Sequence, residues 1–345
     1  MNKISIAVAG PGLIGREHIS LIKKNSRCRL HSIISPVVDT PNEGVMIFNS
    51  IQDCLRQSTP DGVIISSPTQ YHYEQAALCA ELGIKCLVEK PICGSSSEAI
   101  KLLETRDSEL NISVGHHRHY SPIINVAKQI LLRENIGELR TVIASAQYYK
   151  PDDYYLEKNW RVLPGSGGVL LINAIHDIGL LRYLVGEVES VQAFGRRSRM
   201  SSEIYGTVSV NLMFANGVIG SLVVSDEVSS INSWEVTSGE NKGFPNYYEG
   251  FAYVFGGTRG SVTLPSGDTY IDRYSNGWKT KLEKSILAHE VKDPLSIQLD
   301  HFIDTIEHNV LPKVGIRDGI NNLAVIEAIA SSLSNTGEPI KVVKY

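Results

Sequence analysis

Three groups of residues have the types and spacing to do chemistry. Gly10-Pro11-Gly12-Leu13-Ile14-Gly15 lies between an apolar strand-like run, Ile4, Ile6 and Val8, and a helical pattern of Leu13, Ile14, His18, Ile19, Leu21 and Ile22. Glycine at the first place permits a tight turn. At the second it lets a pyrophosphate approach the backbone, and at the third it lets the helix lie close to the strand. The helix start then offers free N–H groups and the positive end of its dipole to a phosphate. Lys90 stands in Glu89-Lys90-Pro91, at the carboxyl end of a predicted strand running from Lys85 to Val88. That edge is where ligands sit in an open parallel sheet. A partly desolvated lysine there can hydrogen-bond a reacting oxygen and have its pKa lowered. His176 falls on a helix predicted from Gly167 to Leu184, and an imidazole exchanges a proton near neutral pH without a large shift. A dinucleotide cradle, a group to polarise an oxygen and a group to relay a proton are what oxidation of a secondary alcohol requires.

The neighbours of these groups carry weaker signals. Asn173 and Ile172 share the helix face of His176. Asn173 can hydrogen-bond a substrate but cannot act as a base. Asp177 is turned about 100° away from His176. Arg161, after Trp160, could clamp a carboxylate or hydroxyls, or sit in a surface salt bridge. His116, His117, Arg118 and His119 follow a strand predicted from Ile112 to Gly115, again near the carboxyl edge. No carboxylate or cysteine spacing accompanies the three histidines, so no metal site is expected, and His116 is a candidate to line a substrate pocket. Tyr148, Tyr149, Tyr154 and Tyr155 could stack on a sugar or pack on a strand face. Twenty positions past Gly15 stands Ser35, where an acidic residue would hold the ribose 2′-hydroxyl of NAD. No Arg or Lys stands nearby to meet a 2′-phosphate, and Asp39 would oppose one, so NAD and NADP are both open.

These residues need elements to position them. At 345 residues the chain is long enough for two domains of roughly 150 residues each. Strands alternate with helices up to about Tyr120, the pattern of crossover units in a parallel sheet. From Gly137 onward strand-like runs crowd together, Val188–Gly195, Gly206–Phe214, Val218–Ser225, Ser233–Thr237, Ala252–Phe255 and Ser261–Leu264, with the hairpin signal Ala215-Asn216-Gly217. The expected fold is α/β, with a dinucleotide-binding domain over 1–121. An α+β domain with a large, mostly antiparallel open sheet is expected over 122–345, its last helix returning to the first domain. Net charge is −4 with no basic block, which argues against nucleic acid and anionic membranes as partners. No apolar run approaches membrane-spanning length. The first strand begins at once, so no signal peptide is expected. Cys28, Cys54, Cys79, Cys86 and Cys93 are odd in number and form no CxxC pair. They read as reduced thiols of a cytoplasmic protein.

The chain resembles the glucose–fructose oxidoreductase, inositol dehydrogenase and rhizopine-catabolism (Gfo/Idh/MocA) family. The resemblance rests on the glycine loop, on Ser67-Pro68-Thr69-Gln70-Tyr71-His72 and on Glu89-Lys90-Pro91. It continues through Trp160-Arg161, Gly167-Gly168-Val169-Leu170, Ile175-His176-Asp177, Asp293-Pro294-Leu295 and Asp318-Gly319, so it spans essentially the whole chain. It implies a Rossmann domain and NAD(P)-dependent oxidation of a sugar, inositol or related polyol, bound between the domains, in a homodimer or homotetramer formed through the C-terminal sheet. It implies cofactor contacts from Gly10, Gly12, Leu13, Ile14 and Gly15, from Ser35, from Ser67, Pro68, Thr69 and His72, and from Glu89 and Lys90. Lys90 and His176 become the catalytic pair, with Asn173, Arg161, His116 and Trp160 toward substrate. One departure stands out: family members resembling inositol dehydrogenase usually carry Asp four residues before the histidine, and Ile172 stands there. Two further activities occur on this fold. One is a cofactor-binding regulator without turnover, which would need neither Lys90 nor His176. The other is a redox-assisted glycosidase, which would release an aglycone without net NADH.

Overall fold

The computed structural model describes residues 3–37, 43–133, 135–156, 159–273 and 277–345, so Asp39 lies outside the described residues. The chain forms two compact units, one of Met1–His117, Leu295–Leu323 and Tyr345, the other of Arg118–Pro294 and Ala324–Lys344.

In the first unit the elements alternate: β1 (Ile4–Ala9), α1 (Leu13–Lys24), β2 (Cys28–Ile34), β3 (Met46–Phe48), α2 (Ile51–Gln57), β4 (Gly62–Ile65), α3 (His72–Glu81), β5 (Lys85–Glu89), α4 (Ser96–Lys101), α5 (Ser108–Asn111) and β6 (Ile112–Gly115). The six strands form one parallel sheet in the order β3-β2-β1-β4-β5-β6. The order reverses between β1 and β4, which leaves a crevice beyond their carboxyl ends. The central strands β1 and β4 are almost wholly apolar and buried, as a sheet covered on both faces requires. Ile6, Val8, Ile33, Ile64 and Leu87 are buried with Ile19 and Ile22 of α1 and with Leu299, Phe302 and Ile303 from the later segment.

The second unit is built on a nine-stranded sheet. Its elements are α6 (Pro122–Leu132), β7 (Leu139–Gln147), α7 (Asp152–Leu156), α8 (Ile175–Val185), β8 (Val188–Arg197), β9 (Tyr205–Phe214), β10 (Ile219–Ser225), α9 (Trp234–Thr237), β11 (Tyr253–Gly257), β12 (Gly260–Leu264), β13 (Asp268–Ile271) and β14 (Glu283–Ile286). Then come α10 (Pro294–His308), which belongs to the first unit beyond Pro294, α11 (Ile316–Ser334), which belongs to the first unit up to Leu323, and β15 (Ile340–Lys341). The sheet order is β14-β13-β12-β11-β7-β10-β9-β8-β15. It is mostly antiparallel, with β7 and β10 paired in parallel. Period-two burial is clean in β9, where Val208, Val210, Leu212 and Phe214 are buried and the residues between them are not.

Two expectations are corrected. Ser233–Thr237 is not a strand: Trp234–Thr237 is a single helical turn. Ser233 precedes it in extended geometry, as a cap residue does. The helix expected from Gly167 to Leu184 is not uniform either. Leu170–Ala174 is π-helical, lying between a short helical start at Gly168 and Val169 and the regular α-helix from Ile175.

Candidate active site

The glycine loop stands at the reversal of strand order, between β1 and α1. Gly10 has φ +82°, and a Cβ there would lie 2.5 Å from the Ser67 backbone. At Gly15 a Cβ would lie 2.1 Å from the Gly10 carbonyl oxygen, so helix and loop touch backbone to backbone. Gly12 differs: nothing lies within 4 Å of where its Cβ would be. It caps α1 without any side-chain hydrogen bond, and the first turn carries no acidic residue. The first N–H groups of α1 are therefore left for an anion, and the space over Gly12 is what a pyrophosphate needs. Leu13 is 76% exposed beside this opening, where a purely packing role would have buried it. Ser35 is buried after β2. Ser66 closes the loop from the β4 side, its Oγ within 2.9 Å of the Ala9 and Gly10 carbonyl oxygens.

Beyond β4 and β5 two turns are clipped together. The ring nitrogens of His72 lie 2.8 Å from the Pro91 and Ser67 carbonyl oxygens, and burial lowers its pKa. His72 thus shapes the loops bearing Ser67, Pro68 and Lys90, with both nitrogens engaged by backbone. Ser67 donates to Gln75 at 2.7 Å, and Pro68 and Thr69 lead into α3. Lys90 is half-buried at the end of β5. Glu89 before it is buried and hydrogen-bonded to His18, and His116 meets Asn322 at 3.1 Å.

In the second unit a polar cluster surrounds the π-helical turn. Asn173 is the polar residue of Leu170–Ala174, and its Oδ1 accepts from Lys150 Nζ at 2.7 Å, with both side chains buried. Lys150 also lies 4.0 Å from Asp226, whose carboxyl accepts from Tyr155 and is pushed up by burial. Tyr154 has a cation toward it from two residues: Lys150 Nζ is 4.7 Å and the Arg161 guanidinium 3.8 Å from its ring centre. Arg161 also donates to the Tyr154 carbonyl, whereas Trp160 is 43% exposed. His176, one turn on from Asn173, is buried on α8. Asp177 is fully buried and accepts from Arg118 at 3.0 Å and from Tyr253. Burial, opposed by Arg118 and reinforced by Glu235, pushes Asp177 up to about 6. Arg118 also pairs with Glu235. His119 faces the Gly179 carbonyl at 3.2 Å.

Two family models match in succession. The oxidoreductase family with an NAD-binding Rossmann fold covers residues 4–116, and the GFO/IDH/MocA C-terminal domain covers 124–262. The chain belongs to the GFO/IDH/MocA family. It is an NAD-binding oxidoreductase of that family. Among curated relatives, 4-carboxy-2-hydroxymuconate-6-semialdehyde dehydrogenase of Sphingobium sp. is 26% identical over 64% of this chain and 71% of its own. Inositol 2-dehydrogenase of Corynebacterium glutamicum is 28% identical, over 39% of this chain and 43% of that protein. The crystal structure of the WlbA dehydrogenase from Bordetella pertussis in complex with NADH and UDP-GlcNAcA aligns with a TM-score of 0.80. That alignment is 21% identical over the whole of both chains.

Three residues joined to the candidate site by hydrogen bonds carry little signal in the sequence. His18 looked like one more position on the inner helix face. Nothing in the local sequence marks Lys150 or Asp226. Each acquires its role from a partner distant in sequence, Glu89, Asn173 and Tyr155 respectively. Ile172 is half-buried at the place of the usual carboxylate, and the buried polar group beside it is the Lys150–Asn173 pair.

Proposed function

We propose that this oxidoreductase transfers hydride between nicotinamide and a secondary alcohol or ketone of a sugar, inositol or related polyol. In this reading Lys90 holds the reacting oxygen and His176 takes or returns its proton. The observation that carries it is the common edge of the first sheet. Gly10 at the end of β1, Ser66 and Ser67 at the end of β4, and Glu89-Lys90 at the end of β5 occupy adjacent strands. Nicotinamide, when bound, supplies the hydride acceptor. The ammonium of Lys90 donates to the substrate oxygen and steadies the charge that develops as the O–H proton leaves. A neutral His176 accepts that proton. Asn173, Arg161, Trp160 and His116 serve substrate binding, while Ser35, Ser67, Pro68, Thr69, His72 and Glu89 shape or contact the cofactor site. Relatives act on or bind inositol and a UDP-sugar acid, which supports a polyhydroxylated substrate.

No helix among the described residues is long and apolar enough to cross a membrane. The five cysteines are free and buried, which supports a cytoplasmic protein. Ile143, Phe194, Met213 and Ile219 are about half exposed on one face of the nine-stranded sheet. That face supports assembly as a homodimer or homotetramer. The test of function is turnover with inositols, aldoses, sugar acids and glycosides in the presence of NAD or NADP. Lys90→Ala is expected to abolish turnover while binding NADH. Near-normal turnover in Lys90→Ala would remove Lys90 from the reaction. Ile172 favours a second reading, a cofactor-binding regulator without turnover, in which NADH binds but no compound is oxidised.

A further inference from the structure

The carboxyl group of Glu89 is the meeting point of three elements in the first unit. His18 comes from α1, the helix whose start is the glycine loop. It is fully buried, and its Nε2 lies 2.9 Å from Glu89 Oε1. The other carboxyl oxygen accepts the backbone N–H of Lys90 at 3.2 Å. From β6, Gly115 leaves the space the carboxyl occupies: a Cβ there would lie 2.9 Å from its carbon. An isolated carboxylate at such a depth would take up a proton. Here burial is outweighed by the hydrogen bond from His18 and by the nearby His18, His117 and Lys90, and the Glu89 pKa is lowered. His18 Nε2 faces Glu89 Oε1, and its Nδ1 is buried without a hydrogen-bond partner among the described residues. The other titratable group near Glu89 is His72 of α3, which also feels Glu98 of α4.

We propose that His18 and Glu89 form a buried positioning pair that fastens the pyrophosphate-binding helix to the Lys90 turn and keeps Lys90 an ammonium hydrogen-bond donor. The inference rests on the reading of Lys90 as the residue that holds the reacting oxygen. It agrees with the part given to Lys90 there, a donor to the reacting oxygen and not the base. It also gives a reason for an ionisable pair buried between α1 and β5. A hydrophobic pair would pack as well but would remove the carboxylate that lies against the Lys90 turn.

The test reads Lys90 directly and needs no substrate. The full-length protein is treated with an amine-acylating reagent across a pH series, and modification of the Lys90 peptide is followed by mass spectrometry. NADH affinity is measured in parallel by fluorescence. Glu89→Gln keeps the shape and deletes the charge. Lys90 should then titrate lower, and below its midpoint it should acylate on the order of tenfold faster, which is one pH unit. His18→Leu removes the donor and the fastening. It should move Lys90 in the same direction and weaken NADH several-fold. His18→Gln restores an N–H donor and should return both readouts to within about twofold of the parent. A mere packing role would lower thermal stability without moving Lys90. Unchanged Lys90 reactivity in Glu89→Gln, or parental values of both readouts in His18→Leu, would overturn the proposal. Should Glu89→Gln fail to fold, the contrast between His18→Leu and His18→Gln decides alone. Absence of turnover on every substrate would count against the proposed function and leave this titration unaffected.

Discussion

Gly12 and Gly15 lie three residues apart in one loop, yet alanine at each should fail in a different way. At Gly15 the new methyl would meet the Gly10 carbonyl oxygen at 2.1 Å and Ser66 Oγ at 2.7 Å. The first contact is backbone and cannot turn aside. Overpacking of this kind costs about 1–3 kcal/mol, and each kcal/mol lowers the melting temperature by about 2–4 °C in a domain of this size. At Gly12 the backbone has φ −73°, which alanine adopts, and the methyl meets nothing within 4 Å. The chain without cofactor should therefore be unchanged, or stabilised by about 0.4–1 kcal/mol through the stiffer unfolded chain. The same methyl would occupy the space left for the pyrophosphate. Losing one hydrogen bond to a charged group costs about 1.5–3 kcal/mol, or roughly 10- to 150-fold in NADH affinity. Thermal unfolding without cofactor and NADH titration of both variants separate the two effects. Parental NADH affinity in Gly12→Ala would refute the cradle, and a parental melting temperature in Gly15→Ala would refute the contact geometry.

Other outcomes follow from the second unit. Asp177 has an ordinary pKa of 3.8 raised to about 6 in the fold. Between those values the folded state holds a proton that the unfolded chain has lost, so stability should fall as pH rises from about 4 to 6. The interval corresponds to roughly 3 kcal/mol. Denaturant melts across that range should show this slope in the parent and lose it in Asp177→Asn; an unchanged slope would exclude Asp177 as its source. Lys150→Met leaves the Asn173 carbonyl without its donor and should destabilise by about 1–3 kcal/mol. The Lys150→Met, Asn173→Leu double variant should recover part of that loss in a double-mutant cycle; strict additivity would deny the coupling.

The parts of the site readable in advance were those dictated by local backbone chemistry. The glycine loop was readable because only glycine satisfies a positive φ at Gly10 and the close approach at Gly15. Alternating strands and helices are enough to place Glu89 and Lys90 at the carboxyl end of β5. What escaped depends on partners far along the chain. His18 and Glu89 are 71 positions apart, and nothing local distinguishes His18 from an ordinary inner-face residue. The π-helical turn at Leu170–Ala174 is invisible to a uniform helical period. Trp234, Val236 and Thr237 carry strand propensity, but the segment is one short turn, too brief for propensity to decide. The parallel pairing of β7 with β10 also escaped, because hairpin signals report only neighbours in sequence.

The most direct test of the account is the change in nicotinamide absorbance when the purified protein and Lys90→Ala are each mixed with NAD or NADP and a panel of inositols, aldoses, sugar acids and glycosides. The account predicts cofactor reduction by the parent with at least one polyhydroxylated compound, and none by Lys90→Ala although it still binds NADH. Tight NADH binding by the parent with no reduction by any compound, or equal reduction by both proteins, would contradict it.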